Sequence, residues 1–129
     1  MPSHLVRQVF NEMLPYLNDH AVFVSATKGL ETVSLLRSSE IIQEVVSTRF
    51  SPRIVAMSGP TFAREVAQAN PTALVVSSND PAAAECIQAK FSSPTFRLYT
   101  SSDPTGVEIG GSIKNVVAIG AGVVHGVVT

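Results

Sequence analysis

The chain has 129 residues, which suits one domain at about 100–200 residues per domain. Hydrophobic residues make up 45% and charged residues 15%, so a core can be buried and disorder is excluded. Nine basic against ten acidic side chains leave a net charge of -1, which argues against nucleic-acid binding and gives no polybasic signal for a membrane surface.

Ser3 can cap a first helix, and Val6, Phe10, Leu14 and Leu17 recur at helical spacing, predicting a helix over residues 4–17. Arg7, Glu12 and Asp19 break any signal-peptide pattern there. A turn at Asn18-Asp19-His20 leads into a β-prone run, 21–26, that ends at Thr27-Lys28-Gly29. Ile41, Ile42, Val45 and Val46 predict a helix over 38–50, closed by Pro52. A second strand spans 53–57, and Ser58-Gly59-Pro60-Thr61 turns into a helix over 61–69 with Phe62, Val66 and Ala69 on one side. The third strand is 72–77. Asp80-Pro81, an N-cap followed by proline at the first helical position, opens a helix to Phe91. A fourth strand covers 95–100, and Asp103-Pro104 repeats the start signal for a long helix through Val124.

This alternation predicts an α/β layered sheet. The short connection through Pro71 leaves room for an antiparallel member, so the sheet is expected to be mixed and mostly parallel. Residues 105–129 are apolar and carry small-residue spacings, but Glu108, Lys114, Asn115 and His125 argue against a membrane span.

Ligands of open α/β sheets bind outside the carboxyl ends of the strands. Two loops satisfy that rule. One is Ser25 to Glu31, with Lys28 at the end of an apolar strand. The other is Ser58 to Ala63, where free N–H groups of Gly59, Thr61 and Phe62 at a helix start would make an anion site. An ordinary turn and helix cap is the commoner explanation of such a loop. Lys114 sits on the last helix among Gly110, Ala118 and Ala121; it either snorkels to solvent or is functional. His4, His20 and His125 lack metal-ligand spacing, so no metal is expected. Cys86, the single cysteine, reads as a core thiol, and a reducing, cytoplasmic setting is the default. No G-x-S-x-G, G-x-G-x-x-G or Walker motif is present.

Three motifs agree with one family. Val24-Ser25-Ala26-Thr27-Lys28-Gly29-Leu30-Glu31, Ser58-Gly59-Pro60-Thr61-Phe62-Ala63-Arg64-Glu65, and the run Gly110 to Gly122 around Lys114-Asn115 strongly resemble the bacterial type of NAD(P)-dependent glycerol-3-phosphate dehydrogenase. The resemblance implies reduction of dihydroxyacetone phosphate to sn-glycerol 3-phosphate, feeding phospholipid synthesis, with NAD or NADP as cofactor. It further implies that Lys114 is the general acid/base and also contacts substrate. Lys28 would touch substrate and cofactor. Gly59, Thr61 and Asn115 would serve the substrate, and Ala63 would be a cofactor contact. A lysine suits the reaction, since it can donate a proton to a developing alkoxide and stabilise the oxyanion. Lys28 nearby would lower the Lys114 pKa by like-charge repulsion.

By the same resemblance, residues 1–101 correspond to the second part of a Rossmann-like NAD(P)-binding domain. Residues 102–129 correspond to the first long helix of an all-α substrate domain. The family's glycine-rich fingerprint and most of its helical domain have no counterpart here. The expectation is therefore a central fragment that, alone, neither binds NAD(P)H tightly nor catalyses; the full-length enzyme could form a homodimer. Two other readings remain open at this point: a non-catalytic remnant serving as an interaction module, and a fragment of a related hydroxyacid or 6-phosphogluconate-type dehydrogenase.

Overall fold

The computed structural model describes residues 1–128. The chain runs α1 (Val6–Met13), β1 (Val22–Ser25), α2 (Ser38–Val46), β2 (Arg53–Ser58), α3 (Ala63–Ala67), β3 (Thr72–Ser77), α4 (Pro81–Phe91), β4 (Phe96–Ser101) and α5 (Pro104–Val128). Single 3-10 turns flank α1 at Ser3–Leu5 and Leu14–Tyr16. The four strands form one sheet in the order β1-β2-β3-β4. β1 and β2 are parallel, as are β3 and β4, and the two pairs join through antiparallel β2 and β3. The expected mixed sheet is thus two parallel pairs set side by side.

Strand side chains alternate between faces, and the two cores follow that alternation. Phe23 and Ile54 point to the face covered by α1 and α2, where Val6, Phe10, Ile41, Ile42, Val45 and Val46 complete a core. Phe10 meets Phe23 edge-on at 5.8 Å, and Phe50 stacks on Phe23 at 6.4 Å. Val55, Leu74, Val76 and Leu98 point to the opposite face, where Ala83 and Ile87 of α4 close a second core. Burying side chains of this size contributes roughly 1.5–3 kcal/mol each.

Several local expectations change. Ser3 does not cap the first helix; Pro2 holds the cap position, and Pro15 falls in the terminal 3-10 turn. Helix α2 stops at Val46, short of residue 50, and the chain turns before Pro52. The helix expected over 61–69 keeps only Ala63–Ala67 because Ala69 takes a left-handed φ of 57°. Its intended apolar side is solvent-facing, with Phe62 63% exposed. Cys86 is half-buried, not a core thiol.

Helix α5 crosses the face that carries α2, lying against β2 and β3. By length and composition its Pro104–Val127 stretch is long and apolar enough to cross a bilayer. Its first turns are nonetheless bound to the sheet, because Glu108 is buried and tied to α2.

Candidate functional site

Parallel β1 and β2 end side by side, so the loops after them, 26–31 and 59–62, share one edge of the sheet. The first loop is held at both ends. Gly29, with a φ of 101°, turns the chain in the left-handed region where side chains are disfavoured, and its N–H donates to Ser112 Oγ at 3.0 Å. Glu31 accepts both Arg7 donors at 2.9 Å. The Arg7 guanidinium, and then the Ser34 hydroxyl, hold the Glu31 carboxyl below the usual carboxylate range.

Between those anchors Lys28 is half-buried, and its Nζ donates to the Gly59 carbonyl at 3.3 Å. Burial first, and then the neighbouring Lys114 ammonium, push the Lys28 pKa below its ordinary value. The like-charge effect expected between the two lysines is thus seen at Lys28.

Gly59 is required by packing. A Cβ there would sit 2.8 Å from the Ala73 carbonyl oxygen and 3.0 Å from Leu74 Cα, so the turn lies flush on β3. The anion-site reading of this turn loses two supports. The Thr61 N–H donates back to the Gly59 carbonyl at 2.9 Å, and α3 is a five-residue helix whose dipole is correspondingly small.

Lys114 arrives on α5. Gly111 permits this approach: a Cβ at that position would run into Ser58 Oγ and come within 3.8 Å of Lys28 Cγ. The Lys114 ammonium stands 5.6 Å from the centre of the Phe62 ring, a cation–π distance. A cavity of about 310 Å³ opens here, with Ser58, Gly59, Val75, Gly110, Gly111 and Lys114 in its wall. A larger cavity, about 590 Å³, lies elsewhere, among Arg37, Gln43, Asn79 and Thr105, and holds no lysine.

The structure therefore brings Lys28, Gly59 and Lys114 together. Thr61 follows Gly59 in the same turn and Ala63 begins α3; both, like Lys28, lie outside that cavity wall. Asn115, turned about 100° around the helix from Lys114, is exposed and also outside it. Sequence reasoning missed Phe62 as a ring beside the ammonium, and it missed Glu108 and Ser112 as anchors of α5. One signal was available: Glu108 is the single acid after Pro104 in a mostly apolar helix.

Residues 1–84 match the family described as NAD-dependent glycerol-3-phosphate dehydrogenase N-terminus, and residues 103–129 match the corresponding C-terminus. The chain is 57% identical over 126 residues to a glycerol-3-phosphate dehydrogenase [NAD(P)+] of Koribacter versatilis, covering 98% of this chain and 37% of that protein. A namesake from Bacillus velezensis is 41% identical, with 98% and 36% covered. The chain thus spans little more than a third of the length of the curated relatives it matches. Among solved structures, the glycerol-3-phosphate dehydrogenase of Coxiella burnetii superposes with a TM-score of 0.82 at 31% identity, covering 92% of this chain and 35% of that one. The yeast enzyme superposes at 0.80 with 27% identity, covering 98% and 38%. Because the first family match alone takes in well over half of the residues, the chain belongs to the NAD-dependent glycerol-3-phosphate dehydrogenase family.

Proposed function

We propose that this chain supplies the proton-handling side of an active site that reduces dihydroxyacetone phosphate to sn-glycerol 3-phosphate. The observation that carries the reading is the convergence of Lys28, Gly59 and Lys114 at one edge of the sheet. Two ammonium groups side by side repel each other unless an anion lies between them. A doubly charged phosphate ester is such an anion.

Lys114 is the general acid. Its ammonium faces an open cavity and can donate a proton to the alkoxide that forms when the ketone carbon is reduced, stabilising that oxygen before transfer. Lys28 is the second cation, aimed by its bond to the Gly59 carbonyl. Thr61 and Asn115 are further substrate contacts in this reading, and Ala63 a cofactor contact.

The residues fit a nicotinamide cofactor at the carboxyl ends of parallel β1 and β2, the position at which open α/β sheets bind ligands. When bound, NAD(P)H supplies the hydride. The chain's part is to hold the substrate anion and place its carbonyl oxygen at Lys114, beside the Phe62 ring. The sequence has no G-x-G-x-x-G, so the pyrophosphate contacts are not among these residues.

In this reading residues 1–101 are the second part of the cofactor-binding domain and 102–129 begin the helical substrate domain. The setting is cytoplasmic, and the complete enzyme is a homodimer. The deciding experiment replaces Lys114 with alanine in the complete dehydrogenase and measures turnover. A positioned acid contributes about 10²–10⁴-fold, so a loss of that size is expected, and turnover within about tenfold of wild type would sink the assignment.

A further inference from the structure

Glu108 is the one buried carboxylate among the described residues, and the chemistry above does not use it. It lies in the first turns of α5, away from the cavity that Lys114 faces. Its Oε2 accepts from Arg37 Nη1 at 2.8 Å and from Ser39 Oγ at 2.6 Å. Its Oε1 accepts from the Ser39 backbone N–H at 2.9 Å.

These contacts answer a defect at the start of α2. The cap position there is Arg37, whose side chain has no acceptor and cannot satisfy a first-turn N–H. Glu40 covers one donor by accepting the Arg37 N–H at 2.9 Å. Glu108 covers the Ser39 donor, so α5 lends α2 the capping carboxylate that its own sequence lacks.

The same helix is gripped again one turn later. Ser112 Oγ donates to the Glu108 carbonyl at 2.8 Å and accepts the Gly29 N–H at 3.0 Å. Beyond that point α5 has little support: Val116 is 70% exposed and Ile119 69%. Lys114 sits at the boundary, two residues past the second grip. An apolar side chain at position 108 would pack a helix at least as well, since buried ion pairs rarely out-stabilise hydrophobic isosteres. What it could not do is define rotation and axial slip together, as three directed hydrogen bonds donated to one carboxylate do.

We propose that Glu108 is a positioning residue: through Arg37 and Ser39 it sets the rotation and height of α5 and thereby holds Lys114 beside Lys28. The proposal rests on the reading that these two lysines form the reactive pair, and its test uses no turnover.

The chain has only three lysines, Lys28, Lys90 and Lys114, so reductive methylation with ¹³C-formaldehyde gives a resolved NMR spectrum in which each ammonium titrates separately. In the full chain, Lys114→Met should raise the Lys28 midpoint, because it removes a like charge. Glu108→Leu should also raise it, while circular dichroism and a cooperative melt report an intact fold. A folded Glu108→Leu protein whose Lys28 titrates as in wild type would overturn the proposal. Should Glu108→Leu not fold, Ser39→Ala removes the 2.6 Å bond to Glu108 and the 3.3 Å bond from Arg37 to the same hydroxyl while keeping the Ser39 N–H contact, and the same rise or its absence decides. An unchanged Lys28 midpoint in Lys114→Met would instead overturn the lysine pair itself, and the proposal with it.

Discussion

Helices α4 and α5 start alike and are used differently. Each opens with Asp-Pro, and each aspartate caps its own first turn: Asp80 accepts from Ala82 and Ala83, and Asp103 from Gly106. They then cover opposite faces of the sheet. Helix α4 buries Ala83, Ala84 and Ile87 and ends after 11 residues. Helix α5 runs for 25 residues, is seated by polar contacts through Glu108 and Ser112, and leaves Val117, Val123 and Val127 in solvent. A start signal is local chemistry and looks the same in both. The seating of each helix depends instead on partners far away in sequence: apolar volume holds α4, and directed hydrogen bonds hold α5.

The contrast can be tested at equivalent points. The largest effect is expected from truncating the apolar seat. Ile87→Ala should cost about 2–5 kcal/mol in denaturant unfolding, whereas Val123→Ala on the bare part of α5 should stay within about 0.5 kcal/mol. Equal losses would mean that α5 is packed along its whole length.

Next come the glycines. Gly59→Ala forces a Cβ onto β3 backbone and should cost roughly 1–3 kcal/mol. Gly122→Ala meets nothing within 4 Å and should raise stability by about 0.5–1 kcal/mol through helix propensity. Thermal melts of the two single variants check both signs.

The smallest effect is electrostatic. A hydrogen bond from Arg53 at 2.9 Å, and then those from the Ala83 and Ala82 N–H groups, hold the Asp80 carboxyl below its ordinary value. Its contribution is therefore fully present above that ordinary value and is lost as pH falls through the lowered one. Arg53→Met should flatten the fall in melting temperature as the pH drops below about 4. An unaltered slope would remove Arg53 as the cause.

The same distinction explains what was legible in the sequence. Strand β3 and the start of α4 were read to the residue, because β-branched runs and Asp-Pro act within a few positions. An antiparallel member was expected from the short connections around Pro71 and the third strand, but not that β2 and β3 would be the pair. The brevity of α3 was not, since it depends on the left-handed Ala69 and on Phe62 finding no core. Lys28 and Lys114 stood out as rare cations in apolar runs. Their anchors did not, because Arg37 and Glu108 are 71 positions apart and Gly29 and Ser112 are 83 apart.

The seam between β2 and β3 has a consequence for how the molecule could be divided. Each side of it is a parallel strand pair with its own connecting helix, and the only covalent link across it, residues 59–71, stays at one edge without crossing a face. Opening the chain at exposed Ala69-Asn70 would leave two pieces, each with its own parallel pair, that meet along one strand edge, through Val55 in the second core and through Glu108 on α2. Lys28 and Gly59 would travel with the first piece and Lys114 with the second. The meeting of the two ammonium groups would then report reassembly of the halves, and not the folding of either one.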